Sequence, residues 1–198
     1  MSYFEFIADR AISQNRASYQ ITIIYKSADT PTKTTAALKF SLPTLFNVIV
    51  DANWRRKNII GSFEMYAFLD DPGSRYRAFD EALPIASAQD SFHHHSILLV
   101  EPWIADRTNR RYALNIMEDA SSTHESSDFR RRIMQQSKRR PLKPDRFARK
   151  YLGNTPIRSC LIQHLPTIAD VERATIYASK STRRLFLLFP DDYFLILP

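Results

Sequence analysis

The chain has 198 residues, of which 44% are hydrophobic and 25% are charged, so we expect one globular domain with a buried core. Its formal net charge of +7, carried by 20 arginines and 8 lysines against 21 acidic residues, admits nucleic acid as a partner. With only 3 glycines, Gly-rich phosphate loops are not expected. The single cysteine excludes an internal disulfide. No apolar run reaches the length of about 18 residues that a membrane-spanning helix needs. Residues 1–10 lack the basic-then-apolar order of a signal peptide, and we therefore expect a protein that stays inside the cell.

The first half of the chain predicts helices between strands. Apolar residues at helical spacing from Phe4 to Ile12 predict an amphipathic N-terminal helix, which would dock on its own core or on a neighbouring copy. Ser41 as an N-cap and Pro43 in the first turn predict a second helix. The predicted elements are, in order, a helix at 2–13, strands at 19–26 and 34–40, a helix at 42–53, and strands at 62–69 and 75–83.

The stretch 96–117 predicts two consecutive strands with a tryptophan at the corner. Residues 97–100 form an apolar run of strand length, and Pro102 ends it because proline has no N–H for a ladder. Residues 111–117 are rich in β-formers and predict the return strand. Trp103 would then fill the core at the corner.

This stretch also carries a resemblance to a known family. Val100-Glu101-Pro102-Trp103, followed by Tyr112 on the return strand, resembles the "VEP…W…Y" segment of the baculovirus polyhedrins and granulins, which crystallise inside infected cells around virions. The likeness extends upstream to residue 20. In this chain the proline and the tryptophan are one residue closer together than in the family. The resemblance to this family implies that the protein forms trimeric building blocks and that its crystals release virions in an alkaline insect gut. By similarity to cypovirus polyhedrins, it also implies an N-terminal helix that reaches between subunits.

Three adjacent histidines, His93, His94 and His95, precede the apolar run. Adjacent side chains on a strand point to opposite faces, so the three cannot all reach one metal ion, and no cysteine or acidic ligand stands at metal spacing nearby in the sequence. We interpret them as the polar start of a strand, with local pH sensitivity as the alternative. The pairs Asp70-Asp71 and Asp191-Asp192 could hold a metal ion, but each adjoins a proline in a predicted turn, where aspartate is expected for backbone reasons alone. No cofactor, metal ligand or catalytic motif is predicted, and we expect the chain not to be an enzyme.

Residues 121–152 contain the most basic stretch. Two clusters in it are typical of a nuclear import signal and equally of a nucleic-acid patch, and a solvated arm or helix face is the third interpretation. No aromatic residue lies within 130–140, which disfavours stacking on single-stranded bases. The clustered residues are Arg130, Arg131, Arg132, Lys138, Arg139 and Arg140.

The C-terminal part predicts short strands, and the last two are so apolar that the chain's own sheet or another copy must cover them. Cys160 lies in the first of them and is interpreted as a buried thiol, with an intermolecular disulfide as the alternative. These strands span 156–163, 174–178, 185–189 and 193–197.

Together the elements predict a mainly β, α+β fold, a β-sandwich with helical decorations and an N-terminal helical arm. The predicted parts are an N-terminal helix or arm at 1–18, a β-sandwich core at 19–120, a basic loop or helical segment at 121–152, and C-terminal strands at 153–198 that complete the sheet or pack on a neighbouring copy.

The predicted function is that of a viral occlusion-body protein, a polyhedrin, which assembles with itself into an intracellular crystal and embeds virions. The lack of a catalytic signature, the apolar C-terminus and the many arginines agree with it. Above about pH 11 the 8 lysines lose their charge and the 9 tyrosines can gain one, so copies would repel and the crystal would dissolve. The tyrosines proposed for this switch are Tyr66, Tyr76 and Tyr112.

Two alternatives stay open from the sequence. One is a nucleic-acid-binding protein that uses residues 130–150, with an affinity that falls steeply with salt. The other is a viral matrix protein that combines self-association with the basic patch beneath a membrane. The leading prediction places the protein in the infected host cell, in the nucleus rather than the cytoplasm, with neither nucleic acid nor membrane as a partner.

Overall fold

The computed structural model describes residues 3–27, 29–70, 92–112, 115–116, 143–180 and 194–197. Its helices are α1 (Tyr3–Ser13), α2 (Pro31–Ile49), α3 (Lys57–Ile60), α4 (Pro102–Tyr112), α5 (Pro144–Tyr151) and α6 (Ile168–Ala178). Its strands are β1 (Ala17–Tyr25), β2 (Phe63–Asp70), β3 (His93–Val100), β4 (Asn115–Ile116), β5 (Ile157–Leu165) and β6 (Phe194–Leu197). The protein is a mixed α/β structure.

The described strands form one sheet in the order β4-β5-β1-β3-β2-β6. β4 runs parallel to β5, and every other pair of neighbours is antiparallel. When the short α3, the two-residue β4 and α5 are left out, the elements from β1 to β5 follow the β-α-β-β-α-β order of a split βαβ unit. β1 and β3 lie in the middle of this sheet, so both of their faces need cover.

Helices cover both faces. Successive side chains of a strand point to opposite sides, and each side has its own apolar core. The first core, which we call the α2 face, joins the sheet to α2, α4 and α5 through Ile21, Met65, Leu45, Ile104 and Phe147. The second core, which we call the α6 face, joins it to α1 and α6 through Tyr66, Ile97, Ile7, Val171 and Ala174.

These layers confirm that helices and strands are combined, but the described structure is mixed α/β rather than mainly β, and a β-sandwich is not confirmed. The described strands make a single sheet, and helices take the place that a second sheet would have in a β-sandwich. The N-terminal helix is confirmed as α1, and Ile7 and Ala11 bury it on the chain's own sheet. Of the two predicted partners for this helix, the chain's own core and a neighbouring copy, the described packing corresponds to the first.

The predicted strand at 34–40 is wrong, since these residues belong to α2. The helix begins after Thr30, whose hydroxyl accepts a hydrogen bond from the Lys33 N–H at 3.3 Å. Ser41 and Pro43 therefore lie inside the helix rather than at its start. Its buried residues recur at helical spacing and include Thr34, Leu38, Ser41, Leu45 and Ile49. Burial of this stripe outweighs the β-propensity of the threonines.

The return strand predicted at 111–117 is wrong for residues 111–112, which belong to α4, whereas residues 115–116 form β4. Pro102 begins α4 instead of a corner between two strands. Proline suits a first helical turn, where its missing N–H is not needed. Thr108 of α4 donates a hydrogen bond to the carbonyl oxygen of Ile49 at 2.8 Å and so ties this helix to the end of α2. Trp103 is 43% exposed and donates from its indole nitrogen to Glu101, so it does not fill the core.

The predicted strand at 174–178 is wrong as well, because these residues form the end of α6. A capping box at Thr167 and Asp170 begins this helix. The strands predicted at 19–26, 62–69, 156–163 and 193–197 are confirmed as β1, β2, β5 and β6. The predicted strands at 75–83 and 185–189 lie outside the described residues, as do both basic clusters within 130–140.

Candidate metal centre

Three side chains of metal-ligand type meet on the α6 face, where β2 ends and β3 begins. The antiparallel register pairs Asp70 with His93 and Phe68 with His95. His93 and His95 share a face because strand side chains alternate, and Asp70 shares it because directly opposed residues point to the same side. The sheet therefore brings the last residue of β2 next to the first and third residues of β3.

The ligand atoms form a small triangle. Asp70 Oδ2 lies 3.4 Å from His93 Nε2 and 3.2 Å from His95 Nε2, and the two nitrogens are 3.2 Å apart. Donor atoms about 2.1 Å from a shared divalent ion stand about 3.0–3.4 Å apart in octahedral or tetrahedral coordination. The three atoms thus have the spacing of ligands on one side of an ion. The part of the chain that the structure describes adds no fourth ligand-type residue to this group, so from these residues the other side of such an ion would stay open, as it does in catalytic metal sites.

The surroundings of His95 suit it to ligation. Its side chain is 5% exposed, and its Nδ1 lies 3.0 Å from the hydroxyl oxygen of Thr22 on β1. Burial lowers the pKa of His95 below its usual value, although the hydrogen bond to Asp70 opposes the shift. The ring is therefore neutral near pH 7. A neutral ring carries one N–H: the tautomer with the proton on Nε2 donates to Asp70, whereas the tautomer with the proton on Nδ1 can donate to Thr22 and leaves the lone pair of Nε2 for a metal ion.

A lysine and a tyrosine from the end of α6 complete the cluster. Lys180 places its Nζ atom 3.1 Å from Asp70 Oδ2 and 4.0 Å from the centroid of the Tyr177 ring. The Tyr177 ring lies 4.9 Å from the His95 ring, at an angle of 69°. Asp70 is 1% exposed, whereas the His93 side chain is 22% exposed and Tyr177 is 37% exposed.

The packing of α6 explains why these two residues arrive there. Val171, Ala174 and Ala178 recur at helical spacing and are buried on the α6 face of the sheet. The capping box fixes where the helix starts, and Ser179 is its C-cap. The last helical turn is thereby held over the first residues of β3.

His94 has a different position from its two neighbours. It points to the α2 face, where the Tyr25 hydroxyl lies 2.9 Å from its Nδ1, and burial lowers the pKa of His94 to about 3. The sequence predicted that the three histidines cannot all reach one metal ion, and the structure places them on two faces of the sheet. No acidic ligand stands at metal spacing near them in the sequence, but the pairing of β2 with β3 brings Asp70 next to His93 and His95. The usable signal was a His-x-His repeat on one strand after a strand that ends in aspartate.

The tyrosine proposed first for an alkaline switch lies inside the fold. Tyr66 is 1% exposed, and its hydroxyl donates to Glu64. Glu64 also pairs with Arg10 of α1 and, at 3.2 Å, with Arg16. Burial and the neighbouring carboxylate raise the pKa of Tyr66 to about 12. Ionisation of this residue would therefore place a charge inside the chain's own core.

The remaining predicted site residues lie apart from the metal-type cluster. Cys160 is 2% exposed in the core of the α2 face, where burial raises the pKa of its thiol to about 12, and this is the position expected of a buried thiol. A disulfide to another copy would require its sulfur to leave this core. Val100 ends β3, and Glu101, Pro102 and Trp103 lead into α4. The side chain of Tyr112 and all of Tyr76 lie outside the described residues.

Comparison of the chain with protein-family models, with curated proteins and with solved structures gave no match. Among the described residues, no helix is both long enough and apolar enough to cross a membrane. The function of the chain is therefore inferred from the chemistry of the cluster around Asp70.

Proposed function

We propose that the chain is a metal-dependent enzyme that breaks and rejoins phosphodiester bonds in nucleic acid. Asp70, His93 and His95 would hold a divalent cation, and Tyr177 would be the nucleophile. The observation that carries this proposal is the triangle of ligand atoms with a partly exposed tyrosine beside it. This proposal differs from the sequence-based expectation that the chain is not an enzyme. That expectation depended on the lack of short catalytic motifs in the sequence.

Charge supports a phosphate-containing substrate. The chain has a formal net charge of +7, which favours encounters with polyanions. A divalent cation polarises phosphoryl oxygens and offsets the charge that develops on them. Lys180 adds a second positive group within the same cluster. An anionic substrate would therefore be attracted to the open side of the metal ion.

The proposed reaction is a transesterification. Asp70, His93 and His95 would hold the metal ion, which would supply Lewis-acid polarisation of the phosphodiester, and the phenolic oxygen of Tyr177 would attack phosphorus. A bond forms between the tyrosine oxygen and phosphorus, and the bond from phosphorus to the leaving sugar oxygen breaks. The phenolic proton passes to solvent and the leaving oxygen takes up a proton. A sugar hydroxyl can later attack the phosphotyrosine and restore a phosphodiester.

Covalent capture of end-labelled oligonucleotides tests this proposal. Single-stranded and duplex DNA and RNA are incubated with the full chain and Mn²⁺ or Mg²⁺, and the products are separated on a denaturing gel. We expect a labelled band at the mass of protein plus strand, which a chelator prevents and Tyr177→Phe abolishes. Tyr151→Phe is the matched control, since Lys150 lies 5.0 Å from the Tyr151 ring but this pair lies on α5, on the α2 face.

Each possible result distinguishes between the parts of the proposal. Loss of the adduct in His95→Gln but not in His164→Gln supports the metal-binding role, because the His164 ring instead packs 5.2 Å from Tyr19. An adduct that survives Tyr177→Phe would remove Tyr177 from the mechanism. Neither adduct nor strand cleavage with any divalent ion would refute the proposed activity.

The ligand set favours one other enzymatic candidate. Two histidines and one carboxylate on one side of an ion are also the ligands of non-haem Fe(II) enzymes that use oxygen. This candidate predicts that Fe(II), added without air, binds the cluster and then consumes O₂ when air is admitted. Strand cleavage supported by redox-inert Mg²⁺ would contradict it.

The occlusion-body function remains a separate proposal that depends on the family resemblance. Exposed apolar side chains offer places where copies could meet, and the most exposed of them are Phe40, Ile12 and Ile196. Expression in insect cells, followed by X-ray powder diffraction of any inclusions, tests it. Sharp rings that disappear between pH 7 and about pH 11 would support it, since lysines lose charge over this range. A soluble product without inclusions would contradict it.

A further inference from the structure

Lys180 places a positive charge on the carboxylate that would bind the metal ion. Its Nζ atom is 3.1 Å from Asp70 Oδ2, the same oxygen that faces the ring nitrogens of His93 and His95. Asp70 is 1% exposed, and a carboxylate buried to this extent needs a positive partner. Lys180 supplies that partner.

A divalent cation would compete with this ammonium group. An ion bound about 2.1 Å from Asp70 Oδ2 would stand within a few ångström of Nζ, and like charges at that distance repel. Lys180 follows the C-cap Ser179, so it lies just beyond α6. Its side chain is 25% exposed and has a flexible four-carbon stem, so the ammonium can move away without unfolding the helix.

We propose that Lys180 is an exchangeable counter-ion of Asp70. A divalent cation displaces its ammonium from Asp70, and the released ammonium binds the substrate phosphate beside Tyr177, whose ring centroid already lies 4.0 Å from Nζ. This inference rests on the proposed function and adds the order of binding, in which the cation binds before the substrate. It requires that loss of the lysine charge strengthens cation binding and weakens substrate binding.

The experiment measures both affinities in one set of variants. Mn²⁺ is titrated calorimetrically into chelator-treated wild type and Lys180→Met, and a labelled oligonucleotide is then titrated in the presence of saturating Mn²⁺. Methionine keeps an unbranched side chain and removes the charge. We expect Lys180→Met to bind Mn²⁺ about tenfold tighter, since a like charge beside the ion is removed. Its oligonucleotide affinity should fall, with a salt slope smaller by about one.

Lys150→Met is the matched control, because Lys150 also lies over a tyrosine ring but on α5. It should leave Mn²⁺ affinity unchanged. Unchanged or weaker Mn²⁺ binding by Lys180→Met, with Mn²⁺ bound by wild type, overturns the counter-ion role and leaves the proposed metal site intact. Tighter Mn²⁺ binding with unchanged oligonucleotide affinity overturns the transfer of the ammonium to phosphate. Wild type that binds no Mn²⁺ overturns both the inference and the proposed function.

Discussion

The Oδ2 atom of Asp70 lies 3.2 Å from the Nε2 atom of His95, although the two residues belong to different strands. The cause is the register of β2 and β3, which pairs their residues without a shift from Phe63 and Val100 to Asp70 and His93. Ligand-type atoms held by a hydrogen-bonded ladder keep their spacing before an ion arrives. The charge and the supporting contacts of these ligands should therefore dominate metal affinity.

Asp70→Asn is expected to remove most of the stabilisation by Mn²⁺. The amide keeps the shape of the carboxylate but lacks the negative charge that a divalent ion requires. An ion at a hundred times its dissociation constant stabilises the folded state by about 2.7 kcal/mol, which thermal denaturation detects as a higher Tm. Asp51→Asn is the control, because Asp51 pairs with Arg107 on the α2 side of the molecule. An equal Mn²⁺-dependent rise in Tm for wild type and Asp70→Asn would exclude Asp70 as a ligand.

Thr22→Val is expected to weaken Mn²⁺ binding by about 10- to 100-fold, the usual cost of losing a group that orients a metal-bound histidine. Its hydroxyl lies 3.0 Å from the Nδ1 of His95, and valine keeps the shape without the hydrogen bond. Isothermal titration measures the affinity. Thr34→Val should bind Mn²⁺ like wild type, since that hydroxyl donates to the Thr30 carbonyl within α2. Equal losses in both variants would point to general destabilisation.

Stability should fall in mild acid partly because of His94. Burial lowers the pKa of His94 to about 3, whereas unfolding restores a value near 6.5. Between these values the unfolded chain binds a proton that the folded chain does not. The free energy of unfolding therefore decreases as the pH is lowered, and this residue contributes up to about 1.4 kcal/mol per pH unit to the decrease. The pKa values of His95 and His164 are also lowered by burial, so they act in the same direction.

Urea unfolding between pH 7 and about pH 5 measures this slope. We expect His94→Gln to lose stability less steeply than wild type as the pH falls, while the other histidines maintain part of the slope. Identical slopes for the two proteins would show that His94 does not remain neutral in the folded chain.

Thr167→Ala should lower the free energy of unfolding by about 1–2 kcal/mol, because it removes the cap of α6. The Thr167 hydroxyl oxygen accepts from the Asp170 N–H at 3.2 Å, and the Asp170 carboxylate accepts from the Thr167 N–H at 3.1 Å. Thr167→Ser retains the hydroxyl and should lose less. Equal losses measured in urea would assign the effect to the threonine methyl group rather than to the cap.

Local sequence patterns predicted the strands well and several helices poorly. β1 was predictable because Tyr19, Ile21 and Ile23 alternate with residues on the other face. α2 and α6 were mistaken for strands where β-branched residues such as Thr34 and Thr175 occur, since burial of a helical stripe outweighed their propensity. The position of Pro102 was identified as a break, but it begins a helix as well as ending a strand.

The candidate site was only half visible in the sequence. The repeat of His93 and His95 could be read directly, because residues two apart on a strand share a face. The contribution of Asp70 depends on how β2 pairs with β3, and that of Tyr177 and Lys180 depends on where α6 packs. These are relationships between distant segments, and no spacing within one segment encodes them.

The most direct test of the metal centre is anomalous X-ray diffraction from crystals of the wild-type chain soaked in Mn²⁺. The account predicts a peak about 2.1 Å from Asp70 Oδ2, His93 Nε2 and His95 Nε2, with the Lys180 ammonium withdrawn from the carboxylate. Crystals that hold Mn²⁺ elsewhere, with Lys180 still paired to Asp70 and no peak among these three residues, would contradict it.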